Sequence, residues 1–111
     1  MNGSNPSRSD LLQAVLQPLL DDFKYWFEQS RSLLENNDLP NLTDEAQADL
    51  LSRVVQAQQE VGVATTLFKT TGGQVGVDMP VVQQWHELVN ECWQVAMQYR
   101  LRQQQEQGSD R

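Results

Sequence analysis

The chain has few of the residues that carry metal, redox or nucleophilic chemistry. One cysteine, Cys92, and one histidine, His86, occur among 111 residues. A single cysteine cannot form an internal disulfide, which is typical of a reducing compartment. The first eight residues lack the apolar core of a secretory signal, and no apolar run approaches the ~18 residues of a membrane-spanning helix. We therefore expect a cytoplasmic protein with no integral membrane segment.

Basic residues are also scarce. Eight Lys and Arg face fifteen Asp and Glu, which gives a formal net charge of −7. Nucleic-acid binding depends largely on Lys and Arg that displace counterions from phosphates, so this charge disfavours a nucleic-acid partner. Anionic membrane surfaces are disfavoured for the same reason. An acidic surface that keeps the protein soluble explains the charge without any partner.

The motifs that could carry chemistry are incomplete. His86 begins a segment similar to the zinc-protease helix motif, but the second histidine of that motif is replaced by Asn90. Cys92 lies six residues after His86, about 120° away around a helix, which is poor geometry for a Cys/His couple. The glycine-rich segment 72–76 lacks the Gly-Lys-Ser/Thr ending of a phosphate-binding loop and is better explained as a turn. We predict no catalytic residue, cofactor or metal, and no enzyme.

Three apolar stripes at helical spacing are the strongest signal that is present. Steps of three and four residues keep one face of each helix apolar. The stripes are Leu12, Leu16, Leu19, Phe23, Trp26 and Leu33; then Leu50, Val54, Ala57, Val61, Ala64 and Phe68; then Val81, Trp85, Leu88, Cys92, Val95 and Tyr99. Short connections make successive helices antiparallel. The sequence predicts an all-α, up-down-up three-helix antiparallel bundle with long helices.

Local signals place the ends of these helices. We predict helices over about 10–35, 44–69 and 79–102, between a flexible segment at 1–8 and a flexible Gln-rich tail at 103–111. Thr43 and Asp78 are expected to cap the second and third helices, and Gly72 or Gly73 to end the second. Pro18 is expected to kink the first helix without stopping it, because the apolar stripe keeps its phase across that position.

Surplus apolar surface indicates where a partner could bind. Pro18 and Tyr25 lie outside the apolar arc of the first helix and are expected to be exposed, and Asp22 lies at its edge. On the third helix, His86, Trp93 and Met97 form a flank about 100° from Trp85, with Asn90 beside them. An ordinary core edge would explain these flanks. The functional interpretation is docking of a partner helix or a second copy, through Pro18, Asp22, Tyr25, His86, Asn90, Trp93 and Met97.

Three blocks of sequence resemble a known family. They are Leu16–Phe27 (LQPLLDDFKYWF), 73–77 (GQVGV) and Trp85–Gln94 (WHELVNECWQ). Together they resemble a small cyanobacterial family that is a domain of unknown function, number 2605. The resemblance covers most of residues 10–100 and implies a cyanobacterial protein of about this length. It implies no activity, cofactor or catalytic residue.

A second hypothesis is a small-molecule or pigment-binding helical bundle, and the implied photosynthetic source adds a tetrapyrrole as one such pigment. Trp26, Trp93 and His86 could line a pocket between helices for a small molecule or a pigment. Peripheral association with the thylakoid surface is a further alternative.

Overall fold

The structure is a computed structural model that describes the backbone of residues 8–72 and 77–109, and the side chains of residues 10, 11, 13–72 and 77–106. The described residues form three helices and no strand: α1 (Arg8–Asn36), α2 (Asp44–Thr70) and α3 (Met79–Ser109). Arg31 of α1 hydrogen-bonds Gln58 of α2, and Gln47 near the start of α2 bonds the end of α1, so this pair is antiparallel. The predicted all-α three-helix bundle is confirmed.

Thr43 and Gly72 act at the helix ends where they were expected, whereas a side-chain cap by Asp78 stays a prediction. The Thr43 hydroxyl accepts a hydrogen bond from the Ala46 amide at 3.0 Å and caps α2. Gly72 has a φ of 67°, the left-handed conformation that often follows the end of a helix. The carbonyl of Asp78 accepts bonds from two amides in the first turn of α3. α1 continues through Pro18, as predicted.

The helix ends differ from the prediction at two places. α1 begins two residues earlier, at Arg8, and α3 continues to Ser109 rather than ending near residue 102. Gln and Glu are good helix formers, and Gln103 Nε2 donates to the Tyr99 hydroxyl one turn earlier at 2.9 Å. The predicted end of the third helix near residue 102 is therefore wrong. Residues 1–7, 73–76 and 110–111, where other predicted loop and tail positions fall, lie outside the described residues.

The core is a single apolar cluster to which all three helices contribute. Its largest fully buried side chains are Phe23, Phe27, Phe68, Leu20, Leu39, Val54, Val61 and Val89. α1 packs more closely against α2 than against α3. Its buried face is consequently turned toward Leu20, Phe27 and Leu34, which the sequence placed at the flanks, while Trp26 and Leu33 are half-buried. The predicted buried face of α1 was therefore wrong: the observed face is rotated by part of a turn about the helix axis.

The helices are staggered along the long axis. The molecule measures 71 × 27 × 20 Å, although a helix as long as α3 spans only about 46 Å. Phe23 contacts Trp85 near the start of α3, and Asn37 just after α1 bonds Tyr99, ten residues before α3 ends. At one end of the molecule, the first turns of α1 therefore extend beyond the start of α3. At the opposite end, the last turns of α3 extend beyond the end of α1. We call residues 8–17 the α1 overhang and residues 100–109 the α3 overhang.

Candidate interaction face

The structure places all seven predicted docking residues on the exposed surface of α1 and α3. Their side chains are exposed at Pro18, Asp22, Tyr25, His86, Asn90, Trp93 and Met97. The predicted exposure of Pro18 and Tyr25 is confirmed. The structure also brings Trp26 and Trp93 to the same height, because their rings meet edge-on at a centroid distance of 5.2 Å. That contact agrees with the parallel arrangement predicted for the first and third helices.

A groove runs between α1 and α3, and two of these seven residues, Tyr25 and Trp93, line it. It has a volume of about 510 Å³, and its lining includes Tyr25, Trp26, Leu33, Trp93, Tyr99 and Arg100. His86 is not among the lining residues. Its ring packs instead against Phe23, at a centroid distance of 5.0 Å. The structure thus joins two of the three residues considered for a small-molecule pocket and leaves the third outside the groove.

The exposed apolar surface continues from this groove into both overhangs. At 100° per residue, Leu11 and Val15 lie within about 60° of Trp26 on α1. Met79 and Met97 lie within about 40° of Trp93 on α3, and Leu101 follows Met97 by one turn. Among the exposed large hydrophobic side chains of the described residues, only Val63 and Leu67 belong to α2. We call this surface the α1–α3 face: Leu11, Val15, Pro18, Asp22, Tyr25, Met79, His86, Asn90, Trp93, Met97, Arg100 and Leu101.

Formal charge is sparse on the α1–α3 face. Asp22 is the acid on the α1 side and Arg100 the base on the α3 side, with His86 formally neutral. Neither Asp22 nor Arg100 forms an ion pair with any residue that the structure describes. Arg100 lies seven residues after Trp93 and so shares its side of the helix. A protein of net charge −7 therefore has a face on which one acid balances one base.

The groove between α2 and α3 has the opposite character. Arg53 bonds both Asp49 and Glu91, at 3.0 and 2.7 Å, so it links the two helices. The Trp85 indole nitrogen donates to a Glu60 carboxylate oxygen at 3.0 Å, from a side chain that is only 2 % exposed. These two contacts pair polar groups of α2 with polar groups of α3 across the groove.

Comparison with known proteins identifies a family. A family model described as "Protein of unknown function (DUF2605)" matches residues 6–101. The chain belongs to this family. The resemblance drawn from the three sequence blocks is thereby confirmed. No curated protein and no solved structure matches the chain.

The DUF2605 match contains every residue of the α1–α3 face. It ends at residue 101, so most of the α3 overhang falls outside it. Gln103, which donates a hydrogen bond to Tyr99 one turn earlier on the same helix, is among the residues beyond the match.

The residues considered for catalysis are separated in the structure. Cys92 is buried, whereas His86 is exposed. Burial raises the pKa of the Cys92 thiol, and a hydrogen bond with Ser30 opposes this effect. A raised pKa leaves less thiolate at neutral pH, so the thiol is a poor nucleophile. Across 8–72 and 77–109, no three His, Cys, Asp or Glu side chains are grouped as metal ligands. Within the same ranges, none of the helices has an apolar stretch long enough to span a membrane.

Sequence reasoning missed a hydrogen-bonded cluster at the α1–α2 connection. Gln47 Nε2 donates to the carbonyls of Leu34 and Asn37, and Gln47 Oε1 accepts from the Leu39 amide. Tyr99 of α3 donates to Asn37 Oδ1 at 3.2 Å. A polar glutamine on a helix gives no periodic signal, so the pattern could not reveal it. Arg100 was missed too, although its spacing of seven residues from Trp93 was available in the sequence.

Proposed function

We propose that this protein is a non-enzymatic interaction or adaptor protein that docks a helical protein partner through the α1–α3 face. The proposal places it in the cytoplasm, as its single cysteine suggests, and in a cyanobacterium, as the family resemblance implies. Its partner is a protein rather than nucleic acid, because the chain is strongly acidic.

One observation carries this proposal. The α1–α3 face combines large exposed apolar side chains with almost no charge, in a chain that is otherwise rich in acids. Trp, Tyr, Met and Arg are enriched at protein interfaces, and charged residues are depleted at their centres. Trp93, Tyr25, Met97 and Arg100 supply those residue types on one surface.

The central anchor, Trp93, is supported by a ring contact within its own chain. The Trp93 ring rests edge-on against Trp26, which restricts its side chain. Binding then costs little further side-chain entropy, and such preorganisation raises affinity. The parallel helices α1 and α3 also leave a long groove in which the apolar side of a partner helix can lie.

The test is affinity capture from native cyanobacterial extract, compared between two double variants. Trp93→Gln/Met97→Gln alters the α1–α3 face. Leu67→Gln/Val63→Gln is the matched control on α2, because Leu67 is 49 % exposed against 48 % for Trp93, and Val63 is 61 % exposed against 60 % for Met97. A captured protein is identified by mass spectrometry, purified, and titrated against all three forms.

We expect the face variant to lose at least about tenfold in affinity for the purified partner, as is usual when a central anchor is truncated. The control should bind like the unaltered chain, and circular dichroism should show equal helicity in all three. Equal binding by both variants would contradict the proposal. A face variant that unfolds would show instead that Trp93 and Met97 belong to the core.

A further inference from the structure

The two charges on the α1–α3 face lie on opposite sides of its centre. Asp22 precedes Trp26 by four residues, which is about 6 Å along the helix axis. Arg100 follows Trp93 by seven residues, about 10 Å in the other direction. Because Trp26 and Trp93 contact each other and α1 runs parallel to α3, the acid and the base are about 16 Å apart along the face.

Such an arrangement is self-complementary under a twofold rotation. In a symmetric dimer, if residue i of one copy contacts residue j of the other, then j also contacts i. A twofold axis perpendicular to the helices, between the heights of Trp93 and Met97, places each Arg100 opposite Asp22 of the other copy. The same axis brings the apolar centres of the two faces together.

We propose that the α1–α3 face binds a second copy of this chain in an antiparallel arrangement, with Arg100 of each copy paired to Asp22 of the other. This rests on the proposed function, since it names the occupant of the same face. A parallel side-by-side pair would instead set Arg100 against Arg100 and Asp22 against Asp22.

The stagger of the helices supports the same occupant. An antiparallel copy carries its α3 overhang over the α1 overhang of its neighbour, at both ends of the dimer. There the α3 overhang covers Val15 and approaches Leu11, which protrude beyond the bundle of their own chain and are more than half exposed. A short partner helix would not reach both ends of a molecule 71 Å long, whereas a second copy matches it in length.

The test measures self-association of the full chain by sedimentation equilibrium between about 1 and 200 μM, where a dimer shows concentration dependence. The unaltered chain is compared with Arg100→Glu, Asp22→Arg and the double variant. Arg102→Glu is the matched control, because it makes the same charge change two residues away, about 180° from Trp93 around α3 rather than about 20°.

We expect the unaltered chain to dimerise and each single change on the face to weaken dimerisation about tenfold or more, since every dimer contains the pair twice. The double variant should recover to within about threefold, and Arg102→Glu should change little. A chain that stays monomeric up to the highest concentration overturns the proposal. So does equal weakening by Arg100→Glu and Arg102→Glu, which would reflect net repulsion alone, or a double variant that recovers nothing.

Failure of the dimer is distinguishable from failure of the docking function. If the chain is monomeric and Trp93→Gln/Met97→Gln still loses a purified partner, the face docks another protein and only the second copy is excluded. If the chain is monomeric and that variant binds as the unaltered chain does, both proposals fall.

Discussion

The two long grooves of this bundle treat polar groups in opposite ways. In the α2–α3 groove, Arg53 and Glu60 are engaged by Glu91 and Trp85 across the groove. On the α1–α3 face, Asp22 and Arg100 have no ion-pair partner among the described residues, and the surface between them is apolar. In the first groove the charged groups of Arg53 and Glu60 are paired within the chain, and Val63 and Leu67 are its exposed large apolar side chains. The second has more exposed apolar side chains and two charges left for another molecule. Comparing them separates residues that hold the bundle together from residues available for binding.

Phe23→Ala should destabilise both the α2–α3 groove and the α1–α3 face. Phe23 is fully buried, and its ring meets Trp85 at the floor of the α2–α3 groove and His86 on the α1–α3 face. We expect a loss of about 3–5 kcal/mol in the free energy of unfolding, as for other buried Phe→Ala changes. Urea denaturation followed by circular dichroism measures it. A loss under about 1 kcal/mol would show that α3 does not depend on this contact.

Glu60→Leu should damage the α2–α3 groove alone. The change leaves the indole N–H of buried Trp85 without its acceptor, which should cost about 1–2 kcal/mol of stability. Glu60→Gln is the control, because its amide oxygen can still accept the bond. Partner binding or dimerisation through the α1–α3 face should be the same in both variants. A Leu variant as stable as the Gln variant would remove the role given to this bond.

The alkylation rate of Cys92 can report how well the groove between α1 and α3 excludes solvent, because Cys92 lines that groove. Burial raises its pKa, so less thiolate is present at any given pH below that pKa. We expect iodoacetamide to label the native protein at pH 8 at least about tenfold more slowly than the urea-unfolded chain, as read by mass spectrometry. Trp93→Gln should speed native labelling more than Leu67→Gln. Equal native and unfolded rates would mean that the thiol is accessible.

Arg53→Gln should have the smallest effect on stability, and it tests whether the α2–α3 groove takes no part in binding. Its guanidinium is about half exposed, and exposed ion pairs contribute only about 0.2–1 kcal/mol. We expect a loss of about 0.5 kcal/mol, measured in a double-mutant cycle with Glu91→Gln, and no change in binding through the α1–α3 face. A loss of self-association in this variant would show that the paired groove takes part in binding too.

The sequence predicted the elements of this fold well because the signals for them are local. Helical spacing, the hydroxyl of Thr43 and the glycine at position 72 each act within a few residues of where they stand. The flank that holds Tyr25 and Trp93 could be recognised from angular position alone. For this reason the exposed docking residues were predicted, although their function stays a proposal.

The relations between helices were harder to predict. Nothing in the periodicity of α1 says that it packs more closely on α2 than on α3, so the burial of Leu20, Phe27 and Leu34 was underestimated. The stagger that leaves Val15 exposed depends on the axial register between helices, which sequence spacing does not encode. Leu39, fully buried in a connection, follows no helical period.

The bonds of Gln47 have a consequence for how much the α1–α2 connection can vary in sequence. One side chain on α2 fixes the chain reversal by accepting from the Leu39 amide and donating to the carbonyls of Leu34 and Asn37. Conformation at the turn is thus set by a residue outside it. We therefore expect substitutions of the exposed residues Asp38 and Pro40 to leave the turn intact, whereas position 47 requires an amide that offers both a donor and an acceptor.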